Sequence, residues 1–156
     1  MPTLKVGDKA PAFALKDQDG KTVRLSSFKG QPVVVYFYPK ADTPGCTQQS
    51  CNLRDAMPDF KKLKAAVVGI SPDAVEKQKK FADKYKLKFP LLADTDHKVA
   101  EAWGVWGQKS LYGRKFMGIV RSAFVVDEKG KLAGVFYKVS PKDTVPKVEA
   151  VLQSTK

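Results

Sequence analysis

Two cysteines, one histidine and four arginines are all that this chain holds of the residue types that most often carry metal, acid–base or base-reading chemistry. Each scarcity excludes something. Cys46, Cys51 and the distant His97 cannot readily complete a tetrahedral metal site, so no metal is expected. A cysteine hydrolase needs an imidazole partner. The one candidate, His97, sits in the polar run Asp94-Thr95-Asp96-His97 and reads as a surface turn residue. The net charge of +12 raises the possibility of nucleic-acid binding. Only Arg24, Arg54, Arg114 and Arg121 offer forked donors, however, and the lysines are scattered from Lys5 to Lys156. The densest clusters, Lys61-Lys62-Lys64 and Lys77-Lys79-Lys80, fall in helix-like patterns and read as solvated faces, so no nucleic-acid partner is expected. No apolar run approaches the roughly 20 residues that span a bilayer. The opening Met1–Asp8 has neither the apolar core nor the small-residue cleavage site of a secretory signal. The expected compartment is the cytoplasm, with no membrane partner.

What is present suits one domain over residues 1–156, with the ordinary globular balance of 43% hydrophobic and 28% charged residues. Ala12–Leu25 reads as a hairpin turning at Asp17-Gln18-Asp19-Gly20. Pro32–Tyr38 and Lys64–Ser71 are continuous apolar runs of the kind buried on both faces of a central sheet. Between them, Pro44–Leu63 is helical with an interruption near Pro58. A second helix runs from Pro72 or Asp73 to about Lys86 on an imperfect apolar stripe of Val75, Phe81, Ala82 and Tyr85. A short strand at Leu91-Leu92, a helix over Lys98–Trp103, a hairpin of Arg121–Asp127 with Lys131–Lys138, and a helix over Lys142–Leu152 complete the reading. This order predicts an α/β fold: a central mixed sheet with helices on both faces and an N-terminal hairpin extension.

Chemistry concentrates after the first buried strand. Pro39 ends that strand, Thr43 stands at an N-cap position, and Pro44 takes the first helical place, where its missing N–H costs nothing. Cys46 then falls in the first helical turn, at the carboxyl edge of a parallel sheet. Unpaired amides and the helix dipole favour an anion there, so a nucleophilic thiolate is expected. Cys51 follows five residues later. On an intact helix the two Cα atoms lie roughly 8–9 Å apart, beyond the 7 Å or so that a disulfide tolerates. Either the pair never bonds, or this turn unwinds when it does. The four-residue gap also differs from the Cys-x-x-Cys of disulfide oxidoreductases.

The run Phe37-Tyr38-Pro39-Lys40-Ala41-Asp42-Thr43-Pro44-Gly45-Cys46-Thr47, with Cys51 and Leu53-Arg54-Asp55, resembles a peroxiredoxin. The likeness is to the bacterioferritin comigratory protein, or peroxiredoxin Q, subfamily. It extends to Gly7–Phe13, Val68–Ser71, Trp103–Lys109 and Gly118–Arg121. The resemblance implies a thioredoxin-like fold, which the order of elements also suits, and a thiol peroxidase acting on hydrogen peroxide and organic hydroperoxides without a cofactor. It implies Cys46 as peroxidatic cysteine and Cys51 as resolving cysteine. Thr43 would orient the peroxide and Arg121 would bind thiolate and substrate, with Pro39, Pro44 and Gly45 lining the pocket. Thr43 is expected to cap its helix as well. Arg54 reads as structural, and Tyr38 as core. The implied reductant is thioredoxin or a similar dithiol, and the resemblance leans towards a monomer.

Overall fold

A computed structural model describes residues 3–154; the outermost residues of the expected 1–156 domain, 1–2 and 155–156, lie outside the described residues. Its main sheet has seven strands: β1 (Ala14–Lys16), β2 (Thr22–Arg24), β3 (Val33–Phe37), β4 (Ala66–Ser71), β5 (Leu91–Ala93), β8 (Ser122–Val126) and β9 (Leu132–Phe136). Their spatial order is β2-β1-β5-β4-β3-β8-β9, with β3, β4 and β5 parallel and the remaining pairs antiparallel. The N-terminal hairpin therefore extends the β5 edge, and the late hairpin closes the other side.

Central placement explains the composition of β3. Every residue from Val33 to Tyr38 is buried, because alternate side chains feed two cores. Val34, Tyr36 and Tyr38 face α1 (Pro44–Asp55), α2 (Met57–Lys62), α3 (Val75–Tyr85) and α5 (Thr144–Ser154) through Leu53, Phe60, Phe81, Val148 and Leu152. Val33, Val35 and Phe37 face α4 (Lys98–Ala102) and the N-terminal segment through Ala100, Trp103, Ala10 and Phe13. Helices cover both faces, unevenly.

The expected helix break is present. α1 stops at Ala56, and Pro58, which has no N–H to return to Arg54, enters at the start of α2. Two features depart from the sequence reading. A separate antiparallel hairpin, β6 (Trp106–Leu111) with β7 (Arg114–Ile119), was not anticipated. Its turn places Tyr112 and Gly113 at φ of 51° and 78°, the positive pair that a tight two-residue hairpin demands. His97 is also more than a turn residue: it stacks on Trp106 with centroids 3.9 Å apart.

Candidate active site

β3 hands the chain to a partly exposed loop and then to α1. Tyr38 still donates its amide to Ile70 O (3.0 Å), after which Pro39 leaves the ladder. Pro44 opens α1, and the first intrahelical bond runs from Thr47 N–H to Thr43 O at 2.8 Å. Gly45 and Cys46 thus present their amides ahead of that bond, at the positive end of the helix.

Cys46 is 1% exposed and Cys51 is half-buried, and both thiols are free. Arg121, which lies between β7 and β8, points its guanidinium at the first turn. Nη2 donates to Cys46 Sγ at 3.4 Å and Nη1 donates to Gln49 Oε1 at 2.8 Å. Gln49 is itself fully buried, and its Nε2 donates to Thr144 Oγ1 at 2.9 Å. Three elements therefore fix one cation over one sulfur. A guanidinium at that distance hydrogen-bonds the sulfur and remains a donor toward any oxygen that approaches it.

Gly45 makes the approach possible. A Cβ there would lie 2.9 Å from Arg121 Nη2. Gly45→Ala should displace the guanidinium by a few tenths of an ångström and slow peroxide consumption about tenfold. Removing a glycine from a helix favours folding by roughly 0.5–1 kcal/mol, so the urea midpoint should hold or rise. A parallel fall of activity and stability would show that Gly45 serves only to keep the fold.

Thr43 corrects one expectation. It occupies the N-cap position, but its side chain makes no capping bond; Oγ1 donates backwards to Lys40 O at 2.8 Å. The hydroxyl is tied to the loop and keeps its lone pairs free to accept a proton donor. Pro44 is exposed, Pro39 half-buried, and Gly45 is adjacent to both Arg121 and Pro141. Tyr38 is fully buried, hydrogen-bonded to Gln78 and stacked on Tyr36, so it belongs to the core. Arg54 is structural: Nη1 donates to Tyr85 O at 2.7 Å and joins α1 to the end of α3.

Two neighbours escaped the sequence reading. Gln49, one turn on from Cys46, carries the i,i+3 spacing that puts both on one helix face. Lys109 on β6 donates from Nζ to Ile119 O at 2.9 Å, its stem lying across Gly118. Burial lowers its pKa, the nearby Arg121 lowers it further, and the Cys46 sulfur opposes both. Among the described residues no group of three or more His, Cys, Asp or Glu could hold a metal ion, and no helix is long and apolar enough to cross a membrane.

A buried cysteine at a helix mouth, faced by an arginine from the start of the strand next to β3, defines a redox-active thiol enzyme on a thioredoxin-like scaffold. The chain belongs to the AhpC/TSA family, which matches residues 6–135. It is 54% identical over 136 residues to peroxiredoxin Bcp of Escherichia coli, covering 87% of each chain. It is 48% identical over 143 residues to peroxiredoxin Bcp of Bacillus subtilis, covering 92% of this chain and 91% of that one. The crystal structure of peroxidoxin BcpB from Mycobacterium tuberculosis superposes with a TM-score of 0.88 at 39% identity, over 98% of this chain and 99% of that one. The enzyme is a peroxidase of the peroxiredoxin class.

Proposed function

We propose that this chain reduces hydrogen peroxide and organic hydroperoxides through Cys46 and is recycled through Cys51 by thioredoxin or a similar dithiol. The observation that carries the reading is the Arg121 Nη2 to Cys46 Sγ contact of 3.4 Å at a buried helix start. The Cys46 thiolate attacks one peroxide oxygen and the O–O bond breaks. Its electron pair leaves on the distal oxygen, which takes a proton to become water or an alcohol. Cys46 is left as a sulfenic acid.

Charge grows on the departing oxygen during that step, and fixed donors aimed there lower the barrier. Arg121 and the amides of Gly45 and Cys46 supply such donors. The Thr43 hydroxyl, its own hydrogen spent on Lys40 O, can accept the hydrogen of a protonated peroxide and so orient it. The 1% exposure of Cys46 favours a small substrate over a protein disulfide, which could not bring its sulfur to this depth. The sulfenic acid then condenses with the Cys51 thiol, releasing water and forming a disulfide that an external dithiol reopens by exchange. The reading extends to a cytoplasmic monomer serving antioxidant defence.

Stopped-flow peroxide consumption, coupled to thioredoxin, its reductase and NADPH, tests the assignment. Loss of a charge-assisted hydrogen bond is worth about 1.5–3 kcal/mol, or roughly 10- to 100-fold in rate. Arg121→Ala should therefore slow the peroxide step by about that factor while binding and reduction by thioredoxin stay intact. An unchanged peroxide rate would remove Arg121 from the site.

A further inference from the structure

The loop that carries Thr43 is held from outside the catalytic helix by a buried carboxylate. Asp73 stands just beyond the end of β4, is 8% exposed, and forms no salt bridge among the described residues. Two donors converge on its Oδ2: the Ala41 amide at 2.7 Å and Ser71 Oγ at 2.7 Å. Ser71 Oγ in turn accepts Gln78 Nε2 at 2.7 Å. Gln78 also donates to Leu92 O at 3.0 Å and accepts the Tyr38 hydroxyl. Ser71, Gln78 and Tyr38 are all fully buried. The chain of bonds thus runs from the ends of β3, β4 and β5, through α3, to one amide of the loop that precedes Cys46.

That amide matters because its neighbours are constrained too. Asp42 follows in the left-handed region at φ 60°, and its carboxylate accepts Tyr85 Oη at 2.8 Å and Lys84 Nζ at 3.0 Å. Lys40, on the other side, offers the carbonyl to which Thr43 donates. The position of Thr43 Oγ1 is therefore set by where residues 40–42 lie, and Asp73 is the buried anchor of that segment. A carboxylate taken out of water without a cation carries a desolvation cost. Ser71 and Ala41 offset part of it with charge-assisted bonds, an arrangement that a mere surface turn would not require.

We infer that Asp73 is a positioning residue for peroxide reduction: through Ala41 N–H it holds the Pro39–Thr43 loop so that Thr43 Oγ1 meets the substrate beside Cys46. The inference rests on the proposed role of Thr43, and the test separates the two. Asp73→Ala removes the anchor. Asp73→Asn keeps one carbonyl oxygen where both donors converge while discarding the charge. Each is compared with wild type and Thr43→Val in two reactions of the reduced enzyme: hydrogen peroxide, which must be oriented, and iodoacetamide, which needs only an available thiolate.

Small misplacements of substrate-orienting groups cost up to about 10²-fold. Asp73→Ala should slow the peroxide reaction about 10- to 100-fold with alkylation within about twofold of wild type. Asp73→Asn should recover most of the loss. Equal peroxide rates in Asp73→Ala and wild type overturn the inference. So does a parallel fall in alkylation and melting temperature, which would mark Asp73 as structural alone. If Thr43→Val leaves the peroxide rate untouched while Asp73→Ala lowers it, the assignment of Thr43 fails and the anchor acts on another group of the loop.

Discussion

Cys46→Ser is expected to reduce peroxide consumption to that of buffer, a loss of at least about 10³-fold. An alcohol is not ionised near neutral pH, is a far weaker nucleophile than a thiolate, and has no counterpart of the sulfenic acid to form. No other group can take over. Cys51 lies beyond the first turn, whereas Arg121, held by Gln49, donates to Cys46 Sγ. The fold should survive, because serine is nearly isosteric and its oxygen can accept from Arg121 Nη2, so the half-buried guanidinium keeps its partner. Melting within a few degrees of wild type, together with absent peroxide turnover, is the required pair of results. Turnover above about a tenth of wild type would place the chemistry elsewhere.

Some of this site was legible in the sequence because it is local. Pro39, Thr43, Pro44 and Cys46 lie within eight consecutive positions, and strand termination, helix entry and the first-turn thiol follow from backbone chemistry alone. The continuous apolar run of β3 likewise announced a strand buried on both faces. Contacts distant in sequence were not legible. The Arg121 to Cys46 approach spans 75 residues and the Arg121 to Gln49 bond 72. Arg121 entered the reading through family resemblance, and Gln49 did not enter at all.

The gap in the α3 stripe was a clue in another form. Between Val75 and Phe81, buried Gln78 takes an inward place because Ser71, Leu92 O and Tyr38 satisfy its amide. Polar residues inside a helix stripe mark a network that sequence periodicity alone leaves out. The β6–β7 hairpin escaped for the opposite reason. Gln108, Ser110, Arg114, Lys115, Phe116 and Met117 are exposed, so no buried face imposes an alternating pattern. Thr43 looked like a cap because threonine often caps. Its hydroxyl instead donates back to the loop at Lys40 O.

Cys51→Ser should separate the two halves of the cycle. On α1 as it stands, positions 46 and 51 are too far apart to bond, so the proposed disulfide would require part of this helix to open. The bonds that resist opening are specific: Tyr36 Oη with Ser50 Oγ at 2.8 Å, Gln49 with Thr144 at 2.9 Å, and the fully buried Leu53. Burial pushes the Tyr36 hydroxyl well up, so it stays neutral and its bond to Ser50 persists across the physiological range. Each lost bond costs about 1 kcal/mol, which the covalent bond must exceed. Wild type treated with one equivalent of peroxide should therefore lose helical circular dichroism as the thiols disappear, and recover it on reduction. Cys51→Ser should consume one equivalent per chain at the wild-type rate, keep its helical signal, and carry a sulfenic acid on Cys46 that dimedone traps. Its thioredoxin-coupled steady state should fall by about 10²-fold or more, because no internal disulfide is presented for exchange. Small thiols, which can reach the sulfenic acid directly, should restore part of the turnover. A Cys51→Ser enzyme that cycles with thioredoxin at the wild-type rate would mean that resolution comes from a thiol outside this chain, and that α1 need never open.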